Sequence, residues 1–158
     1  MKTVKTLSGV ALGIQLTAFV LTILICICQE SVKLLFTAEK ELQGVKVFPV
    51  GTVIGELVII GLYLVLFIFA CRAAESGKQV KTAGIVLFIL MCVWNFSVSI
   101  LARVETIVIA AKGYTYVASL SVVSSAISLV TGPLNFIAFG LFAMAIGAAV
   151  CVGKASKE

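Results

Sequence analysis

From Tyr116 to Val152 the chain runs for about 37 residues without a charged side chain. As one helix rising 1.5 Å per residue, that stretch would measure roughly 55 Å, against a bilayer hydrocarbon core about 30 Å thick. Lipid offers no partner for an open backbone amide or carbonyl, so a segment of this kind must satisfy its own hydrogen bonds as a helix. Nothing else in the sequence restricts the fold so strongly. Gly132-Pro133 interrupts the run, because proline lacks an amide hydrogen and crowds the preceding turn. Residues 134–152 then form one full span, and the Ser-rich part before the proline lies outside it.

Three further apolar runs cover residues 7–28, 50–71 and 82–102, the second broken only by Glu56. The first has the look of a secretion signal. Its apolar stretch is about twice the usual length, however, and no small-x-small cleavage pattern precedes Gln29. Composition agrees with a membrane chain: 61% of residues are hydrophobic and 12% charged, where soluble domains carry about 25% charge. The predicted fold is all-α and polytopic: one transmembrane domain over residues 1–158, with four helices in an up-down bundle.

Between the third and fourth runs lie Arg103, Glu105 and the apolar stretch from Ile107 to Ala111, ahead of the turn signal Lys112-Gly113-Tyr114-Thr115. Helices 3 and 4 are therefore predicted to project beyond the outer surface as an antiparallel hairpin around residues 103–131. A fifth span over 117–131 is the alternative, but it falls short of the minimum of about 17 residues. Residues 29–48 hold most of the remaining charge. They predict a short interfacial helix capped by Ser31 and ending before Gly44, with Val32, Leu35, Phe36 and Leu42 on its apolar side. Gly77 is predicted as a helix stop within the loop 72–82.

Orientation follows from the lysines and arginines. With the N-terminus inside, seven flank the cytoplasmic side (Lys2, Lys5, Arg72, Lys78, Lys81, Lys154, Lys157) and five the other (Lys33, Lys40, Lys46, Arg103, Lys112). The bias is shallow, and it favours a cell-membrane protein with both termini cytoplasmic. The net charge of +5 is spread singly over the ends of spans. It makes no basic stripe for phosphates, so nucleic acid is not an expected partner.

The chain contains neither His nor Asp, which removes Ser-His and Cys-His pairs, His-based metal sites and aspartyl dyads. Its five cysteines lack CxxC spacing and read as small apolar residues. No catalytic residue, metal or cofactor is expected.

Small residues recur at four-residue spacing: Gly9 with Gly13, Gly51 with Gly55, and Ala143 with Gly147. Such faces let helices approach closely in lipid. Ser121, Ser124, Ser125 and Ser128 form a helical stripe of their own. The polar residues most costly to place in lipid are Glu56, Asn95, Ser99, Arg103 and Asn135. Counted along their helices they fall within one slab of the outer half, where a Glu56–Arg103 ion pair is predicted to fix helix register.

Two functions compete on these terms. One is a non-enzymatic protein acting through helix–helix or partner contacts, as an accessory, immunity or membrane-stress factor, with the lipid bilayer, another membrane protein or a second copy as partner. The other is a small transporter or channel component that uses Glu56 as a protonatable intramembrane carboxylate.

Overall fold

The computed structural model describes residues 2–72 and 77–155. These residues form five α-helices: α1 (Lys2–Ile27), α2 (Gln29–Phe36), α3 (Val50–Arg72), α4 (Gly77–Ala110) and α5 (Tyr114–Ala155), with one 3-10 turn at Lys40–Leu42. By length and apolar composition α1, α3, α4 and α5 are each able to cross a membrane. Their outward faces are as apolar as their inward ones: Phe136 is 80% exposed and Phe96 73%. A helix that is apolar all round finds a stable surrounding in lipid rather than water.

The long helices pack as a ring, α1 on α3 and α5, with α4 closing the far side between α3 and α5. Directions follow from individual contacts. Gly9 meets Phe67 and Thr22 meets Glu56, so α1 and α3 run antiparallel. Gly51 meets Leu101 and Gly55 meets Val98, while Gly84 meets Ile146 and Phe88 stacks on Phe139, so α3 and α4, and α4 and α5, also run antiparallel. At the centre Tyr63 stacks on Phe142, ring centroids 4.5 Å apart, among Ala11, Leu66, Met91 and Ala145. One end is closed by Val4, Ala70, Val80 and Ala149, the other by Val47, Leu120, Val123 and Ile127.

Several local features differ from the sequence reading. α5 continues through Gly132-Pro133 without a break. Pro133 removes the one backbone bond that would close on the Leu129 carbonyl, while the bonds on either side remain. The Thr131 hydroxyl bonds its own helix elsewhere, at the Ile127 carbonyl, 2.9 Å away. Gly77 opens α4 rather than ending a helix, while residues 73–76 lie outside the described residues.

Helix α2 begins earlier than expected and carries an inner face the sequence did not announce. Cys28, not Ser31, stands at its N-cap, and Ser31 is exposed. Gln29 and Lys33 face inward, whereas Leu34, Leu35 and Phe36 point away from the protein, Leu35 being 83% exposed. The inner face has a plain cause. The Lys33 ammonium is fully buried and donates to the carbonyls of Leu42 at 3.2 Å and of Val45, so the loop folds over it. Glu30 completes the arrangement, 3.5 Å from the ammonium and accepting from the Gly44 amide at 3.0 Å. Gly44 adopts a φ of +85°, open to glycine at little cost.

Candidate functional site

The buried edge of α1 is a heptad seam. Val4, Ala11 and Ala18 alternate with Ser8, Gln15 and Thr22, and Gln29 carries the second set into α2. The polar residues are thus seven apart, near two helical turns, and stack along one line. Each finds a partner. Ser8 donates to the Val4 carbonyl at 2.7 Å, and Gln15 donates through Nε2 to Asn135 Oδ1 at 3.1 Å. Thr22 donates to Glu56 Oε1 at 2.9 Å, while Gln29 accepts the Val47 amide at 3.0 Å. Polar groups enclosed by apolar walls are costly unless paired, so this line orders α1 against α3, α5 and the loop.

Glu56 is the one member of the set left incomplete. Only 6% of its surface is exposed, and its second oxygen, Oε2, has no hydrogen-bond partner among the described residues. Asn135 lies beside the carboxylate but gives its Oδ1 to Gln15 and does not complete a bond to Oε2. Glu56 and Asn135 line a cavity of about 230 Å³ between α3, α4 and α5, together with Asn95 and Thr131. A larger space of about 600 Å³ adjoins it through Ile59, Asn95, Gly132 and Asn135. That second space is faced by Gln15, Tyr63, Met91 and Phe139. Glu56 therefore lines the smaller of two adjoining spaces whose walls carry amides and aromatic rings.

The five polar residues picked from the sequence fare differently. Glu56 and Asn135 come together at the cavity, and Asn95 faces it from α4. The amide of Asn95 is bonded to its own helix at the Met91 carbonyl, 3.0 Å away, and the Ser99 hydroxyl to the Asn95 carbonyl. Arg103 is exposed, and the expected Glu56–Arg103 pair does not form: among the described residues the one salt bridge joins Lys33 to Glu30. Geometry explains this. Val98 is the residue of α4 opposite Gly55, and Arg103 follows it by five positions, about 7 Å along and roughly 140° around the helix. The neighbouring acid Glu105 instead turns inward. It accepts the amides of Val50 at 2.7 Å and Gly51 at 3.2 Å, capping α3 from across the bundle.

Among the small residues, Gly51 and Gly55 lie under α4, where an added Cβ would stand 3.0 Å from Glu105 Oε2 or Val98 Cγ2. The carbonyl of Gly55 also receives the Trp94 indole at 3.2 Å. Gly9 abuts the Phe67 ring, while Gly13 and Gly147 have open space beside them and Ala143 is half-buried. The serines of the stripe face an open groove on α5. The buried serine of α5 is Ser119, placed 3.5 Å from the Leu42 carbonyl.

Comparison with known proteins finds no match: no family model, curated protein or solved structure is similar to this chain. Function has to be argued from the geometry. Gln15, Thr22 and Thr131 were passed over in the sequence because uncharged polar residues are ordinary in membrane helices. The signal that could have found the first two is the spacing of Ser8, Gln15, Thr22 and Gln29. Among the described residues no three of His, Cys, Asp or Glu converge, so the oxygen donors at the cavity are the Glu56 carboxylate, hydroxyls and amides.

Proposed function

We propose that this chain is a small multi-pass cell-membrane protein in which Glu56 takes up and releases a proton or small cation, as a transporter or channel component. The observation that carries this reading is a buried carboxylate, its Oε2 without a hydrogen-bond partner among the described residues, on a residue that lines a cavity with Asn95, Thr131 and Asn135. A lone charge held away from water is costly, so the group is either protonated or balanced by a cation. Intramembrane carboxylates that lack a protein counter-charge mark ion or proton paths by default. The role proposed is a non-enzymatic one.

The proposed setting is an up-down bundle with both termini in the cytoplasm and α4 and α5 projecting beyond the outer surface. Helices of 34 and 42 residues measure about 51 and 63 Å, well over a core of about 30 Å. Cysteine-accessibility labelling is expected to report position 78 on the same side as both termini, and positions 41 and 112 on the other. Labelling of the two termini from opposite sides would overturn the topology.

The functional test is flux in liposomes holding a pH-sensitive dye. The wild-type protein is expected to dissipate an imposed proton or cation gradient. Glu56→Gln is expected to abolish this while keeping its helical circular dichroism. Wild-type vesicles no leakier than empty ones would refute the reading.

A second reading, contact with another membrane protein or a second copy, is favoured by α4. Its span is only 11% buried, and Val93, Phe96, Ile100, Val104 and Ile107 are all exposed along it. It predicts recovery of a partner in mild detergent, and full function in the Glu56→Gln variant.

A further inference from the structure

A separate cavity of about 450 Å³ opens where the loop before α3 meets the end of α4 and the start of α5. Its composition is divided. Lys46 and Lys112 border it, and Val108, Val104 and Leu101 line it along α4. Counted from Lys112, these three lie about 6, 12 and 16 Å further down the helix, so cationic and apolar parts are separated along its length. Among the described residues none covers the apolar strip: Val108 is 61% exposed and Val104 51%.

The charge balance of the cavity is equally specific. Glu105 borders it, but both its oxygens are held by the Val50 and Gly51 amides, against the positive end of α3. The lysines are left to face outward. Among the described residues neither forms a salt bridge, and the Lys112 ammonium stands 6.0 Å over the Tyr116 ring at the cavity's edge.

We propose that this groove is a binding site for one anionic phospholipid. Its phosphate sits between Lys46 and Lys112, and an acyl chain lies along Val108, Val104 and Leu101. Ammonium groups supply the charge that a phosphate diester seeks, and the strip leads from the lysines towards the span 82–102, so the bound lipid stands raised along the projecting end of α4 with its chain directed back to the bilayer. The site is independent of any role for Glu56.

The single tryptophan gives a direct readout. Trp94 lies seven residues beyond Leu101 on α4, about 10 Å deeper, with its indole bonded to Gly55 one turn from Gly51. A chain seated in the groove brings mid-chain bromines towards the indole, where they quench its fluorescence. The full protein is placed in phosphatidylcholine nanodiscs containing increasing fractions of dibrominated phosphatidylglycerol or dibrominated phosphatidylcholine. Half-maximal quenching is expected at about a thirtyfold lower fraction of the anionic lipid, as two lysines near the surface would provide. Lys46→Gln combined with Lys112→Gln is expected to bring the two lipids together, while Lys40→Gln, outside the groove, is expected to preserve the difference. Equal quenching by both lipids in the wild type would overturn the proposal, as would selectivity surviving in the double variant. Should the double variant fail to fold, a salt series on the wild type decides: selectivity is expected to weaken as ionic strength rises, and insensitivity to salt would count against the site.

Discussion

Thr22 and Glu56 are joined by a hydrogen bond of 2.9 Å from hydroxyl to Oε1, and this is the only such bond formed by the carboxylate among the described residues. Thr22→Val keeps the shape of the side chain and removes the donor, leaving both oxygens without a partner. The expected cost is about 1–3 kcal/mol in detergent unfolding, the usual range for a buried group left unsatisfied. Thr22→Ser is expected to restore most of it. Equal stability of the valine variant and the wild type would show that the bond does not hold α1 to α3.

Gln15 and Asn135 tie α1 to α5 at 3.1 Å. A double-mutant cycle with Gln15→Leu and Asn135→Leu is expected to give a coupling of roughly 0.6 kcal/mol and no more than about 1.7, the span found for hydrogen bonds between membrane helices. Strict additivity of the two changes would mean that the contact contributes nothing to stability.

The small residues divide into two groups that one substitution separates. Gly55→Ala drives a methyl group to 3.0 Å from Val98 Cγ2, beside the Trp94 bond, and is expected to cost about 1–3 kcal/mol by overpacking. Gly13→Ala meets nothing within 4 Å and is expected to be neutral, or stabilising by up to about 1 kcal/mol through helix propensity. Thermal melts in a single detergent compare the two. A reversed order would place the close packing on the wrong face.

Acid should release the loop that covers Lys33. Donation from the Gly44 amide, with help from the Lys33 ammonium and more weakly from Lys46, holds the Glu30 carboxyl below the usual carboxylate range. A group whose folded value is depressed stabilises the fold above its unfolded value, near 4.3 for Glu, and that contribution is lost as pH falls through the folded value. Amide protection over residues 37–49, corrected for intrinsic exchange, is expected to stay constant from neutral pH to about 4.3 and to fall below it. Glu30→Gln is expected to remove this step. A loop equally protected at both ends of the range would break the link between Glu30 and loop order.

The helices were legible because long uncharged runs leave the backbone no other choice. The interior was legible only in part, for reasons visible at particular residues. Glu56 and Asn135 stood out by chemical type, and their neighbours in the fold did not. Arg103 misled because charge was counted by depth along the helix, without the rotation that turns it outward and its neighbour Glu105 inward. The start of α2 was misread because Ser31 is of the usual N-cap type and Cys28 is not. The buried Lys33 was not legible, because its carbonyl partners, twelve or fewer residues away, lie in a loop with no regular pattern. Pro133 looked like a boundary because the cost of proline was judged without the surrounding bundle.

The cap on α3 also bears on how the chain is made. The amides of Val50 and Gly51 are closed by a side chain 55 and 54 residues later. The Gly51 amide has no partner within its own stretch of sequence, whereas that of Val50 also reaches the Phe48 carbonyl at 2.9 Å, so the seal on α3 waits for the far end of α4. A chain cut between Arg72 and Glu105 keeps α1, α2 and α3 and the loop between them, but with that edge unsealed.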